Sequence, residues 1–268
     1  MVKLSIITIN LNNKTGLEKT IKSVINQTFI DFEFIIIDGN SSDGSLEVIK
    51  HYANNITYWV SENDTGIYNA MNKGITKSLG EYCLFLNSGD SLVDSSVLQQ
   101  VFSCSTNEDI VSGNIYLISK KNQKRRLQKS LPSSQILFSD LFESSLNHQA
   151  SFIRRSLFYE YGLYDENYRV ISDWLFTIKA LGMGNATYRF LDLIISEVDA
   201  DGISGNILSF YYTENIPALN KILPDRILKD YQSGYIQMVK RIKLNKFTWF
   251  LFRVVNKLSL VINKIKAY

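Results

Sequence analysis

Glu81-Tyr82-Cys83-Leu84-Phe85-Leu86-Asn87-Ser88-Gly89-Asp90 (EYCLFLNSGD) sets a continuous apolar run against a stop of small residues and one carboxylate. An unbroken apolar run this short predicts a strand, Tyr82–Leu86, buried on both faces as in a parallel sheet. Open α/β sheets bind their ligands beyond the carboxyl ends of their strands. Asp90 is presented at such an end, placed to hold a divalent cation against a diphosphate. Hard cations take oxygen ligands, usually one or two carboxylates plus substrate phosphates. The stretch points to an enzyme that uses a nucleotide.

Working outward, the first half alternates strand and helix patterns. Leu4–Ile9 is a strand, Leu17–Ile25 a helix with Leu17, Ile21, Val24 and Ile25 on one face, and Phe32–Ile37 a second strand ending at Asp38. Ser45–Tyr52 is a helix, Ile56–Val60 a short strand and Tyr68–Leu79 a helix closed by Gly80. This order predicts an α/β fold, mainly a parallel sheet covered by helices on both faces. Further on, Val97–Phe102 reads as a helix and Ile110–Ile118 as a strand, followed by a basic loop or hairpin tip at Lys120–Lys129. Gln149–Ile153 and Thr187–Ile195 read as strands, Ser156–Tyr161 and Asp173–Leu181 as helices, and helices dominate from Ile216.

Composition supports a folded chain: 268 residues, 45% hydrophobic, 21% charged, three prolines. Cys83 and Cys104 have neither metal nor redox spacing and are expected as buried thiols of a reducing compartment. The start MVKLSIITIN runs directly into a strand, so no signal peptide is expected, and no long apolar run predicts a membrane span. The expected location is cytoplasmic, with a peripheral position on the inner face of the membrane. The net charge of +3 conceals an asymmetry, because eight Lys and Arg and no acid follow Asp230, which leaves the rest at −5. Such a tail suggests an anionic partner. No feature calls for nucleic acid.

Strand ends supply four polar clusters: Thr8 and Asn10; Asp38, Asn40 and Asp43; Asn63 and Asp64; Asn87, Ser88 and Asp90. Any one alone is an ordinary polar loop, but their succession indicates a site. The turn Asp38–Gly44 serves as a helix N-cap, presents Asp38 to a base N–H, or does both.

In order and spacing, LSIITINLNN, FIIIDGNSSDGS, SENDTGIYNAMNKGI and YCLFLNSGD resemble the nucleotide-binding half of family 2 glycosyltransferases, which have a GT-A, Rossmann-like fold. NHQASFIRRSLFYEYGLYDENYRVISDWLF resembles their acceptor half, so the likeness covers about the first three-quarters of the chain. It implies a GT-A domain over 1–205, with donor half 1–95 and acceptor half 96–205, and a helical basic extension over 206–268. It implies an inverting, metal-dependent transfer of one sugar from a nucleotide-diphosphate sugar to a glycan hydroxyl in surface polysaccharide or lipopolysaccharide synthesis. A UDP-sugar is favoured by its prevalence in the family. Thr8, Asn10 and Asp38 would line the base and ribose pocket, with Asn40 beside them, and Asp64 and the Gly66 turn would shape it. Asn87, Ser88 and Asp90 fall on the metal-binding motif, with Asp90 the ligand to Mn²⁺ or Mg²⁺. Asn87 and Gly89 stand where many relatives have Asp, which implies weaker affinity for free metal. Asp173, in Ser172-Asp173-Trp174, is the expected general base; read by position alone, it is equally a helix N-cap.

His148 is either structural or near the acceptor and phosphates. Asn72 and Lys73 follow the donor turn, with Lys73 a phosphate contact or solvated surface, since Met71 stands where many relatives carry Arg. Arg154-Arg155 is surface or faces an anionic acceptor. The absence of Gln-x-x-Arg-Trp favours single transfer over polymerisation. Lys243–Tyr268 interleaves aromatic and basic residues and is either an interfacial helix suited to a polyprenyl-diphosphate-linked acceptor or a helix packed on protein. The competing readings are a sugar-nucleotide pyrophosphorylase, disfavoured by the loop NLNNKTG, and a non-catalytic binding module, motivated by Asn87 and Gly89. A dehydrogenase is weaker still, since no G-x-G-x-x-G follows the first strand.

Overall fold

The structure, a computed structural model, describes residues 2–103, 107–119, 124–131, 136–200 and 214–232. Two compact units divide the chain, Met1–Phe210 and Tyr211–Tyr268. The first unit runs β1 (Leu4–Asn10), α1 (Lys14–Ile25), β2 (Phe32–Asp38), α2 (Ser45–His51), β3 (Tyr58–Ser61), α3 (Ile67–Lys77), β4 (Tyr82–Phe85), β5 (Ser91–Leu92) and α4 (Val97–Ser103). It continues through β6 (Ile110–Ile118), β7 (Arg125–Gln128), α5 (Phe138–Glu143), β8 (Ser151–Arg154), α6 (Ser156–Glu160), α7 (Ser172–Thr177) and β9 (Tyr188–Asp199). The second unit's described part is α8 (Ile216–Ile222) and α9 (Asp225–Gln232).

The nine-stranded sheet has the order β3-β2-β1-β4-β8-β6-β9-β5, with β7 on β6. β1, β2, β3 and β4 are mutually parallel. β8 is antiparallel to β4 and β6, whereas β6 and β9 are parallel. Chain order reverses between β1 and β4, which makes the crevice beyond their carboxyl ends the place for a ligand. The parallel sheet and its covering helices match expectation.

Strand alternation divides the core. Ile6, Phe34 and Ile36 pack toward Leu17, Ile21 and Val24 of α1 on one face. Ile7, Ile9, Ile35 and Ile37 meet Tyr68, Met71 and Ile75 of α3 on the other. Fully burying such a side chain contributes roughly 1.5–3 kcal/mol. α3 lies close because Gly74 has no side chain; a Cβ there would overlap Ile7 Cγ2.

Several expectations need revision. The strand expected from Gln149 begins at Ser151, after a tight turn His148–Ala150. The helix expected over Asp173–Leu181 is α-helical to Thr177 and widens to a π-turn over Ile178–Met183. β5 and α5 had no sequence reading, and the basic stretch at 120–129 contains β7, the return arm of a hairpin on β6. Arg154 does not face an acceptor. It pairs with Tyr82 at the first residue of β4, the end of the sheet away from the crevice. There it contacts Glu81 at 2.6 Å and Asp109 at 3.2 Å. Arg155 likewise donates to the Gly80 carbonyl at 3.1 Å. Cys83 is a free, buried thiol pushed up to about 12 by burial, as an inert core cysteine should be. Among the described residues no helix is long and apolar enough to cross a membrane. Cys104 and the amphipathic stretch Lys243–Tyr268 lie outside the described residues.

Candidate active site

The crevice is built from three strand ends. Asn10 and Asp38 are register partners at the last residues of β1 and β2, and Ser61 pairs with Asp38 at the end of β3. Asp38 is 0% exposed. Its Oδ1 accepts from Asn10 Nδ2 at 2.7 Å and Ser41 Oγ at 2.6 Å. Its Oδ2 accepts from Ser41 N at 3.0 Å and Ser61 Oγ at 2.6 Å. Burial alone would raise its pKa, but the hydrogen bonds from Ser41, Ser61 and Asn10 outweigh burial and hold it below the ordinary value. A carboxylate has about four acceptor sites, and here protein donors take all of them. Asp38 therefore organises the turn and orients Asn10, with no oxygen left for a base N–H. The acceptor left over is Asn10 Oδ1, buried and without a partner among the described residues. Thr8 is also fully buried, tying β1 to the Leu86 carbonyl at 2.7 Å.

Beyond β4, Asn87–Asp90 forms a tight turn closed by Asp90 N–H to the Asn87 carbonyl at 2.9 Å. Gly89 takes φ +105, a conformation side-chain-bearing residues rarely adopt. An Asp at this backbone conformation would be strained. α1 pins the turn. Thr20 Oγ1 lies 2.6 Å from the Asp90 carbonyl and accepts from Gly89 N–H at 3.0 Å. Asn13, the N-cap of α1, donates to the Ser88 carbonyl at 2.9 Å, and Lys19 reaches the Gly89 carbonyl at 3.0 Å. Asp90 is 6% exposed. Burial raises its carboxyl to about 6, partly countered by His148, a hydrogen bond from Gln149 and Lys19.

The second acid comes from far along the chain. β8 runs antiparallel, so the residues preceding it lie at the ligand end of the sheet. This carries His148 to the turn. Its Nε2 lies 3.3 Å from Asn87 Nδ2, and its Nδ1 lies 3.1 Å from Asp173 Oδ2. An amide nitrogen only donates and a carboxylate only accepts. His148 bridges the two through its ring nitrogens. Asp173, in the first turn of α7, also accepts from Tyr68 O–H at 2.9 Å through Oδ1. Desolvation and the Asp173 charge push the Tyr68 phenol far above its ordinary pKa, so it stays a donor. His148 and Asp173 keep side-chain exposures of 21% and 18%. Asn87 Oδ1 is a second buried oxygen without a partner among the described residues. Asn87, His148, Asp173 and Tyr68 thus form one continuous chain of contacts.

The other four expected residues each have protein partners. Asn40, at φ +62, donates to Asn63 Oδ1 at 3.1 Å on the exposed rim. Asp64 caps the Gly66 N–H at 3.1 Å, and its other oxygen faces Gly39. Asn72 is engaged with backbone, donating to the Tyr164 carbonyl at 2.9 Å and accepting from Tyr164 N–H at 3.0 Å. Lys73 pairs with Glu62 at 2.7 Å and donates to the Asn63 carbonyl at 3.0 Å, which ties α3 to the loop after β3. A groove of about 300 Å³ opens beside β3 and α3, outside the crevice, with Lys73, Lys77 and Glu166 among its walls. Sequence reading missed Tyr68, Thr20 and Asn13. Tyr68 lies inside a quoted motif, and its place on the α3 face was its only available signal.

Residues 5–162 match the family model of glycosyl transferase family 2; Asp173 lies beyond that stretch. A PGL/p-HBAD biosynthesis glycosyltransferase of Mycobacterium bovis is 28% identical over 225 residues, covering 81% of this chain and 85% of its own. Staphylococcus aureus TarS 1-349 in complex with UDP-GlcNAc superposes with TM-score 0.58 at 19% identity, covering 74% of this chain and 58% of that one. The mannosyltransferase PcManGT from Pyrobaculum calidifontis, in complex with GDP-Man and Mn²⁺, superposes with TM-score 0.59 at 13% identity, covering 80% and 61%. These two likenesses are of fold, the GT-A fold.

Proposed function

Because the chain belongs to glycosyl transferase family 2, we propose that it moves a single sugar from a UDP-sugar to a hydroxyl of a glycan acceptor, with inversion, and that Asp173 is the general base. The observation that carries this reading is the meeting of Asp173 with the Asn87–Asp90 turn across His148. Inverting transfer from a nucleotide sugar needs a diphosphate site and a base on opposite sides of one anomeric carbon, and the closeness of the Asn87–Asp90 turn to Asp173 supports that pair of roles.

Asp173 has one protein donor on each oxygen, so a further lone pair remains on each for the acceptor hydroxyl. The acceptor O–H proton passes to Asp173 as its oxygen bonds the anomeric carbon, and the carbon–oxygen bond to the diphosphate breaks. Donors fixed beforehand hold the base without reorganisation as charge shifts. Asn10 Oδ1, oriented by Asp38, is the acceptor offered to a base or ribose N–H or O–H. The residues fit a hard cation: Asp90 would give an anionic oxygen and Asn87 Oδ1 a neutral one, with the diphosphate completing the set. Bound there, Mn²⁺ or Mg²⁺ would neutralise charge developing on the departing diphosphate. Among the described residues no group of three His, Cys, Asp or Glu side chains is placed to hold a metal ion.

UDP is supported by the UDP-GlcNAc complex of a protein with this fold, and a lipid-linked glycan acceptor would suit the basic, aromatic-rich C-terminal sequence. The basic tail would then hold the enzyme at the cytoplasmic membrane face. The test is a thermal-shift screen of UDP-, GDP- and dTDP-sugars with Mn²⁺, followed by turnover of Asp173→Asn with the best donor. The variant should bind that donor as wild type does and lose transfer. Full turnover by Asp173→Asn would end this reading.

A further inference from the structure

α3 begins where the donor loop ends, and one of its faces carries polar side chains that all reach the segment bearing Asp173. Tyr68 donates to Asp173 Oδ1 at 2.9 Å. Asn69 donates to Glu166 Oε2 at 2.9 Å, and Asn72 to Glu166 Oε1 at 2.8 Å. Asn72 also exchanges two backbone bonds with Tyr164. These contacts join residues 92 to 105 positions apart in the sequence. The seam is polar in a place where α3 otherwise presents core residues, and each amide in it has a defined partner. Tyr68 differs from the rest, because its hydroxyl ends on the carboxylate proposed to take the proton.

Resting on the assignment of Asp173 as base, we infer that Tyr68 is a positioning residue for it. The phenol and His148 hold one oxygen each, which leaves the carboxylate a single rotamer with its free lone pairs toward the crevice. Tyr68 is 5% exposed, and its ring packs on Tyr164 with centroids 5.5 Å apart. The hydroxyl therefore cannot swing away to solvent. The groups facing Asp173 are Tyr68 from α3, His148 from the turn before β8 and Tyr164 from the loop before α7. Tyr164's own hydroxyl is buried without a partner among the described residues.

The test is Tyr68→Phe in the full chain, which removes one oxygen and keeps the ring. UDP release is followed from UDP-glucose, UDP-galactose and UDP-N-acetylglucosamine with Mn²⁺, water serving as acceptor. The donor dissociation constant is measured in parallel by calorimetry. The plateau kcat should fall about tenfold, as loss of a hydrogen bond to a charged group implies. Donor affinity should remain within twofold of wild type. A wild-type plateau kcat would overturn the inference. So would a kcat loss matched by lost donor affinity or lost cooperative melting, which would assign the hydroxyl to the fold. Asp173→Asn separates the two failures. If it keeps turnover, the base assignment falls; if it is inactive while Tyr68→Phe behaves as wild type, only the role of Tyr68 falls.

Discussion

Asp90→Asn should make this protein more stable at neutral pH while weakening its hold on a cation and diphosphate. Asp90 is 94% removed from solvent, being 6% exposed, and burial raises its carboxyl from 3.8 to about 6. A group whose folded pKa is raised binds its proton more tightly folded than unfolded, so stability falls as pH climbs between those two values. Below about pH 4 the group is protonated in both states and contributes nothing to the slope. Above about pH 6 the ionised carboxylate stands against folding by about 3 kcal/mol, taking about 1.4 kcal/mol per pH unit over that gap. For a chain of this size that is on the order of 5–10 °C in melting temperature. Asn has nearly the same shape and no charge to desolvate. Thermal melts by circular dichroism from pH 4 to pH 8, with EDTA present, should show the two proteins converging at the acid end and the variant melting higher at the alkaline end. Comparing the two at each pH cancels every other titrating group. A wild-type-to-variant difference that stays flat across the range would refute burial as the origin of the effect. Mn²⁺ with UDP should close the gap from the wild-type side, because a cation beside Asp90 supplies the countercharge that burial withholds.

Gly89→Asp adds an acid to the turn but forces a side chain onto φ +105. It should lower stability by about 1–3 kcal/mol, without tightening Mn²⁺ binding in a calorimetric titration. Arg154→Ala breaks the contacts to Glu81 and Asp109 at the far end of the sheet. A loss of about 1–2 kcal/mol in urea denaturation with unchanged kcat and donor affinity is the expected outcome. A changed kcat would return Arg154 to the acceptor side.

The parallel sheet was legible because its strands are unbroken apolar runs and every one of them ends in polar residues. Proximity along β1, β2 and β4 is implicit in that pattern, so Asn10, Asp38 and Asp90 could be gathered from the sequence. What each of them does at the crevice could not. Asp38 reads as a free acceptor until Ser41, Ser61 and Asn10 are seen filling its oxygens. Lys73 reads as an available charge until Glu62 is found 2.7 Å away. His148 was ambiguous because strand-end reasoning looks only after a strand, whereas an antiparallel strand delivers the residues before it. Tyr68 was passed over because a tyrosine at helical spacing beside Ala70, Met71 and Ile75 is read as core, and its ring is core; only the oxygen at its tip belongs to the crevice. The widening of α7 into a π-turn at Ile178 has no counterpart in the hydrophobic spacing, and we have no physical account of it.

The seam between α3 and residues 164–173 sets a rule for anyone recombining such enzymes. A chimera that keeps the donor end of one parent and grafts the acceptor end of another, joined anywhere between Lys77 and Tyr164, separates Tyr68, Asn69 and Asn72 from the partners they were matched to. The hybrid would inherit both carboxylates yet hold one of them loosely. Exchanging α3 together with the acceptor end, or transplanting its three polar side chains as a set, keeps each hydroxyl and amide facing the atoms it met in the parent.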